Sequence, residues 1–488
     1  MKEKPDIYVV YTNKRFGPQI EYVFGTILSV LGLKYEIGLL SGLNNDFAGP
    51  KTLVISYSHE RPKIIAQRQI HIYESSLFTD QYLSRDSLPK VPLLRFNDLP
   101  IIYQGDKTVE GHVRHEGNFI ETDIDIIASS FFMLTRYEEV IVDERDKFDR
   151  FPATASLAYK EGFLDRPIVN EYIELLWTWI DSFQLGFRRR ERWGGKRFAV
   201  CLTHDVDRVR KFKIYPPLLT IKRLAAERKD FGGILKVSSD WARCLMGKKV
   251  DPYNSFDYLI HLEASHGTKS TYFFLAGRSC RYDGEYTIKD LKIANLVKKL
   301  DKFGFEIGLH ASFQSFDDDR LLKREKEGLE ELIGKEIVSS RQHYLRWKTP
   351  NTWRVLENAG IQYDATLCFP EVEGFRCGFC LPYRPFDLHE NRVMDIYELP
   401  LIVMDGSLYA YENLSAEEGL QRTKKMIKAV KDCGGVFTLL WHNSSFYELD
   451  YPAWPQIYRD ILNYIDGQDV FCGVVKGICE QWRITSTS

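Results

Sequence analysis

The stretch Phe198-Ala-Val-Cys-Leu-Thr-His-Asp-Val-Asp207 decides how the larger part of this 488-residue chain is read. Its mostly apolar start predicts a strand, which runs through Thr203 into two carboxylates spaced i, i+2. Alternate residues on a strand point to one face, so Asp205 and Asp207 aim into the same small volume. Two carboxylates at a strand end can hold a divalent cation, act as a base, or divide those tasks. A solvated pair of loop acids is the competing reading, and the surrounding pattern has to choose between them.

Working outward, strands and helices alternate. Strands are predicted at 271–275, 305–310, 339–343, 362–364, 396–400 and 435–442, with helical stretches at 286–303, 319–333, 352–358 and 416–432 between them. Such alternation implies βαβ units and a parallel sheet. About seven units in roughly 290 residues are barrel-like, and barrels carry their chemistry at the C-terminal strand ends. Asp205, Asp207, His310, Arg341, His343 and His442 all fall at or just beyond such ends, which favours a catalytic site over scattered structural roles.

The first part of the chain has another pattern. Short strand-like runs at 6–11, 35–40, 53–57 and 69–73, with helical patterns at 18–31, 123–136 and 167–183, predict a smaller α/β domain, flavodoxin-like in outline. The polar, glycine-bearing segment 187–196 marks the boundary, giving an accessory domain over 1–190 and a barrel over 191–488.

Composition bounds the function. A chain that is 44% hydrophobic and 27% charged is globular, and a net charge of −2 argues against a dedicated nucleic-acid binder. Nine cysteines, an odd number, suit a reducing compartment better than a disulfide framework. The chain start lacks the apolar run of a secretory signal, and no window reaches the ~20 apolar residues of a membrane helix. A soluble cytoplasmic protein is expected.

Thr203-His-Asp-Val-Asp207 resembles the first motif of the polysaccharide deacetylase superfamily, carbohydrate esterase family 4. Gly304-Phe-Glu-Ile-Gly-Leu-His-Ala-Ser312 resembles that family's second, metal-binding motif. Arg341-Gln-His-Tyr344 keeps the arginine and aromatic of the third, and Leu439-Leu-Trp-His442 resembles the fifth, a strand ending in histidine. The resemblance covers roughly residues 197–480. It implies an α/β fold, a distorted (β/α)7 barrel preceded by the smaller α/β domain. It also implies a metal-dependent hydrolase that removes acetyl groups from a carbohydrate, N-acetyl in preference to O-acetyl. Carried over residue by residue, it makes Asp205 the general base, and Asp207 and His310 metal ligands. His442 becomes the general acid for the leaving amine, Arg341 the group that holds Asp205, and the Tyr344 backbone N–H an oxyanion donor. Amide hydrolysis needs an activated water, a clamp on the carbonyl oxygen and a proton for a poor leaving group, and this set supplies all three.

One position departs from the family. Its second motif has two histidines four residues apart, and here the position four after His310 is Gln314. Catalytic zinc takes three protein ligands, so either His343 from the adjacent strand completes the set, or Gln314 or a water completes a site for a harder metal. Zinc is the expected ion, with cobalt, manganese or nickel as alternatives. Two further readings stay open: an amidohydrolase of the same superfamily acting on a small cyclic amide or ureide, and a non-catalytic glycan-binding pseudoenzyme.

Three other features need a reading. Residues 208–249 carry twelve Lys/Arg against three acids, either a solvated face or a patch for peripheral contact with an anionic membrane or a phosphate-bearing glycan. With no signal peptide, a cytosolic precursor in surface-polysaccharide or glycolipid assembly is the expected substrate. Cys377-Gly-Phe-Cys380 lacks the second pair a zinc ribbon needs, so 374–387 reads as a loop lining the sugar cleft. Glu398, Asp405 and Asp364 are candidates to orient the catalytic groups, His442 among them.

Overall fold

The structure is a computed structural model and describes residues 5–42, 46–47, 52–213 and 217–487. Two parallel sheets organise it. The first contains β1 (Ile7–Tyr11), β2 (Tyr35–Leu39), β3 (Leu53–Ser58), β4 (Gln69–Tyr73), β5 (Val113–Glu116) and β6 (Phe119–Thr122), in the order β2-β1-β3-β4-β6-β5. All pairs are parallel except β5 with β6 at the edge. Every residue of β3 and β4 is buried, as expected of parallel strands covered on both faces. Helices α1 (Gly17–Leu31), α2 (Ile126–Leu134) and α3 (Ile168–Ser182) pack on one another beside this sheet. The order begins as in flavodoxin, but residues 59–68 join β3 to β4 without a helix.

The second sheet starts at β7 (Phe198–Val206), which is buried along its whole length. It continues through β8 (Ser270–Leu275), β9 (Glu306–Ala311), β10 (Ser339–Gln342), β11 (Tyr363–Asp364), β12 (Tyr397–Glu398), β13 (Val403–Met404), β14 (Val436–Leu440) and β15 (Val470–Cys472). The order is β12-β11-β10-β9-β8-β7-β14-β13, all parallel, with β15 paired to the start of β7. β12 and β13 are two ends of one extended run. Leu399 N donates to Asp364 O at one edge of the sheet, and Ile402 N to Thr438 O at the other. The sheet is therefore curled, and its C-terminal strand ends gather at one mouth.

Between the strands lie α4 (Phe231–Leu245), α5 (Phe256–Ser265), α6 (Leu291–Lys302), α7 (Asp319–Ile333), α8 (Asn351–Asn358), α9 (Ala416–Asp432) and α10 (Trp454–Asp466). The Ser415 hydroxyl accepts the Glu418 amide while the Glu418 carboxylate accepts the Ser415 amide, a capping box that starts α9. The helix expected from residue 286 starts instead at Leu291. Tyr286 is taken out of it because its hydroxyl donates to Val206 O and accepts the Leu275 amide, bridging β7 and β8.

One hydrophobic core runs through both sheets. The segment expected to line a sugar cleft, 374–387, is part of that junction. Val169 N donates to Gly378 O, the Arg376 guanidinium bonds both oxygens of Glu139, and the Cys380 amide donates to Asn170 Oδ1. Both cysteines of the C-x-x-C are free and buried. The segment is a loop as expected, but it does not line the cleft, because its arginine and amides satisfy buried partners in the first part of the chain.

Candidate active site

Alternation along β7 sorts its polar residues onto two sides. Thr203, Asp205 and Asp207 face the mouth of the curled sheet, where Asp205 and Asp207 line a cleft of about 330 Å³. His204 points the other way, to Glu263 Oε1 at 2.7 Å and Trp441 O at 2.6 Å, and is a core residue. Gly284 closes over the strand end: a Cβ there would sit 2.5 Å from Asp207 O.

Three side chains, from the C-terminal ends of β9, β10 and β14, converge on Asp207. His310 Nε2 lies 3.1 Å from Asp207 Oδ1, His343 Nε2 3.6 Å from the same oxygen, and His442 Nε2 3.6 Å from Oδ2. One donor atom from each of Asp207, His310 and His343 lies within 4.8 Å of the others. The second nitrogen of each imidazole is held: His310 Nδ1 by Arg341 O at 3.0 Å, His343 Nδ1 by Asp283 Oδ1 at 3.1 Å. A neutral imidazole that donates through Nδ1 presents the Nε2 lone pair, the arrangement that orients metal-binding histidines. Asp207 Oδ1 and His310 Nε2 are buried with no hydrogen-bond partner. An unsatisfied buried polar atom costs about 1–3 kcal/mol, and a cation between these atoms removes that cost. Two imidazoles and a carboxylate are a donor set that suits zinc.

The charges agree with this geometry. Burial alone would raise the Asp207 carboxyl, but the imidazoles of His343 and His310 outweigh it and hold it well below the usual range. Burial likewise lowers His343, yet the Asp207 and Asp283 carboxylates carry it up to about 9. The position facing Asp207 thus attracts positive charge, and a metal ion would displace the proton there. Gln314 is exposed, outside the cleft, and its backbone N–H donates to Ser279 Oγ.

On either flank stand the other predicted groups. Arg341, fully buried, places Nη1 3.1 Å from Asp205 Oδ1 and 2.7 Å from Thr203 Oγ1, with Nε on Ala365 O at 2.8 Å. Asp205 is thereby fixed on one oxygen, while Oδ2 lies 3.6 Å from His310 Nε2. Opposite, His442 Nδ1 meets Asp405 Oδ1 at 2.6 Å. Asp364 and Glu398 do not reach His442: Asp364 accepts from Ser340 and Thr366, and Glu398 from Trp353 and the Leu367 amide. Asp405 alone of the three orients it. Tyr344 follows β10 with φ of +61°, on the cleft wall, its ring 4.7 Å from that of His343.

Sequence reasoning missed Asp283 and Arg150. Asp283 also accepts the amides of Ser279, Cys280 and Phe313, which locks it behind His343. Arg150 comes from the first part of the chain, lines the cleft and donates to Tyr344 O at 2.8 Å. Its anchor, Asp146, is the one local signal, four residues earlier.

The profile of a family described as of unknown function (DUF7033) matches residues 8–184. No curated protein sequence matches the chain. Among solved structures, the chain is similar to a protein assigned as a polysaccharide deacetylase from Mycobacterium smegmatis. The two are 20% identical, with 61% of this chain and 95% of that one covered and a TM-score of 0.42. A second so assigned, from Pseudomonas aeruginosa, is 13% identical, with 60% and 92% covered and a TM-score of 0.40. A family 4 carbohydrate esterase from Streptomyces lividans, in complex with acetate, is 12% identical, with 57% and 93% covered and a TM-score of 0.28.

Proposed function

We propose that this chain is a metal-dependent hydrolase that removes an N-acetyl group from a carbohydrate, acting in surface-polysaccharide or glycolipid assembly. The observation that carries the reading is the convergence of Asp207, His310 and His343 between a fixed carboxylate, Asp205, and a charged imidazole, His442. We read the curled sheet as a distorted (β/α)7 barrel in which Tyr397 to Met404 counts as one strand, with its chemistry at the C-terminal mouth.

Asp207, His310 and His343 would hold the ion, with zinc the best match to two imidazoles and a carboxylate. Bound there, the ion lowers the pKa of a water and polarises the acetyl carbonyl. Asp205 takes the proton of the attacking water through the oxygen that Arg341 leaves free. The water oxygen bonds the carbonyl carbon, and the Tyr344 backbone N–H donates to the oxygen that becomes negative. His442 then gives its Nε2 proton to the nitrogen as the C–N bond breaks, releasing acetate and a free amine. An amide nitrogen cannot depart unprotonated, so an imidazolium at this position fits an N-acetyl better than an O-acetyl substrate.

Acetate release from N-acetylated chito-oligosaccharides by zinc-loaded protein tests this. Activity is expected in the wild type and a loss of about a hundredfold or more in Asp205→Asn. Zinc-loaded protein that frees no acetate, or an Asp205→Asn variant with full activity, sinks the proposal. Release of ammonia from a cyclic amide or ureide instead would move the reaction to that class.

A further inference from the structure

The insertion that leaves β7 after Asp207 and returns at β8 carries chemistry the cleft does not use. Residues Leu218–Arg223 and Leu224–Arg228 form one helical stretch that packs on α4. Leu224 and Val237 turn inward to Phe212, Tyr253 and Tyr447. Much of the rest of its apolar surface stays outside. Seven of the sixteen large apolar side chains exposed among the described residues lie within residues 218–250. Singly scattered exposed apolar residues need no account, whereas a concentration of them marks an interaction surface. Leu218 and Leu219 are 67% and 85% exposed, and Phe231 and Leu235, i and i+4 on one face of α4, are 75% and 74% exposed.

The same insertion carries unpaired cations. Among the described residues, Lys222, Lys229, Lys236, Arg243 and Lys248 have no ion pair and no side-chain hydrogen bond. Two of the three local acids are engaged: Asp230 caps α4 through the Gly233 amide, and Asp240 pairs with Lys249. A second copy of this chain would bring the same unpaired cations against one another. An anionic bilayer offers both complements at once, headgroup phosphates for the lysines and the acyl boundary for Phe231, Leu235 and their neighbours. No helix among the described residues is long and apolar enough to cross a membrane, so the contact is peripheral.

We propose that this insertion docks the protein on an anionic phospholipid surface. A groove of about 1000 Å³ between the insertion and α6 shares Arg208 and Glu285 with the catalytic cleft. A glycan carried by the same surface would reach the cleft along this groove. That last step rests on the hydrolase reading, whereas vesicle binding is measured without reference to catalysis, so the two fail separately.

The test is co-sedimentation of the full chain with vesicles of phosphatidylcholine and phosphatidylglycerol, against vesicles of phosphatidylcholine alone. Retention is expected on the anionic vesicles only, reversed by high salt. Lys222→Glu/Lys229→Glu/Lys236→Glu and, separately, Phe231→Ser/Leu235→Ser should each weaken it by about tenfold or more. Melting temperature and acetate release from a soluble oligosaccharide should stay at wild-type values in both variants, because none of these residues touches the cleft. Equal retention on neutral vesicles, retention on neither, or retention that neither variant lowers overturns the proposal. So does a dimer in solution that Phe231→Ser/Leu235→Ser converts to monomer, which would assign the face to a second copy.

Discussion

Asp405 holds His442 at two points: Oδ1 lies 2.6 Å from the ring Nδ1, and Oδ2 accepts the His442 backbone amide at 2.9 Å. The Ser445 hydroxyl donates to the same Oδ2. One carboxylate therefore fixes the ring, the backbone beneath it and the tautomer, leaving Nε2 turned toward Asp207 and the cleft. Burial alone would lower the His442 pKa, but Asp405 outweighs it, with Asp207 and Asp205 adding, and the imidazole rises to about 10.

Replacing that carboxylate should expose its role. Because the folded pKa of His442 is raised, its proton stays in place through neutral pH and is lost as pH climbs through about 10. In Asp405→Asn the alkaline limb of the pH–rate profile of acetate release should move down toward ~6.5. At neutral pH kcat should fall by about a hundredfold with KM little changed. An alkaline limb that stays put would show that another group sets it.

Metal retention separates His343 from Gln314. His343→Ala should lose bound zinc and with it the zinc-dependent rise in melting temperature, whereas Gln314→Ala should keep both. Asp283→Asn should retain the ion but bind it about 10–100-fold more weakly, because a fixed imidazole loses its orienting partner. Elemental analysis and calorimetric titration read these outcomes. Zinc lost from Gln314→Ala and kept by His343→Ala would reverse the assignment.

What the sequence disclosed is what local rules govern. Period-two alternation placed Asp205 and Asp207 on one face, and the strand-end rule brought His310, Arg341, His343 and His442 to the same mouth. Contacts from far along the chain left no such trace. Asp283 reaches His343 across 60 residues, Arg150 reaches Tyr344 across 194, and Arg376 reaches Glu139 across 237. The strand expected at 396–400 is there at Tyr397–Glu398, but no local pattern announced that the chain beyond Pro400 pairs again at the other edge of the sheet, through Val403–Met404.

Arg150 ties the first part of the chain to the chemistry. The residue is 2% exposed, and its guanidinium spans Asp146, Tyr344 O and the Tyr411 hydroxyl. Arg150→Ala should free the Tyr344 turn, whose φ of +61° needs outside support, and lower kcat by about tenfold or more with zinc content unchanged. Arg150→Lys, which keeps charge but not the forked donor, should recover only part of it. Full activity in Arg150→Ala would release the Tyr344 backbone from any need of this support.

Acid should loosen the junction between the two sheets. Glu139 accepts from Arg136 Nε at 2.9 Å, from Arg376 Nε at 2.8 Å and from Thr349 Oγ1 at 3.1 Å, all buried. Burial pushes its carboxyl up, but Arg376 and Arg136 outweigh it and bring it down to about 2. A depressed folded pKa means the stabilisation is present above the unfolded value of ~4.3 and is lost as pH falls toward 2. Glu139→Gln leaves two guanidinium groups buried without that charge, and should cost about 3–5 kcal/mol at neutral pH. Urea denaturation followed from pH 7 downward checks this. The gap between wild type and variant should narrow as acid protonates Glu139, and a gap that stays constant with pH would move the stabilisation from charge to packing.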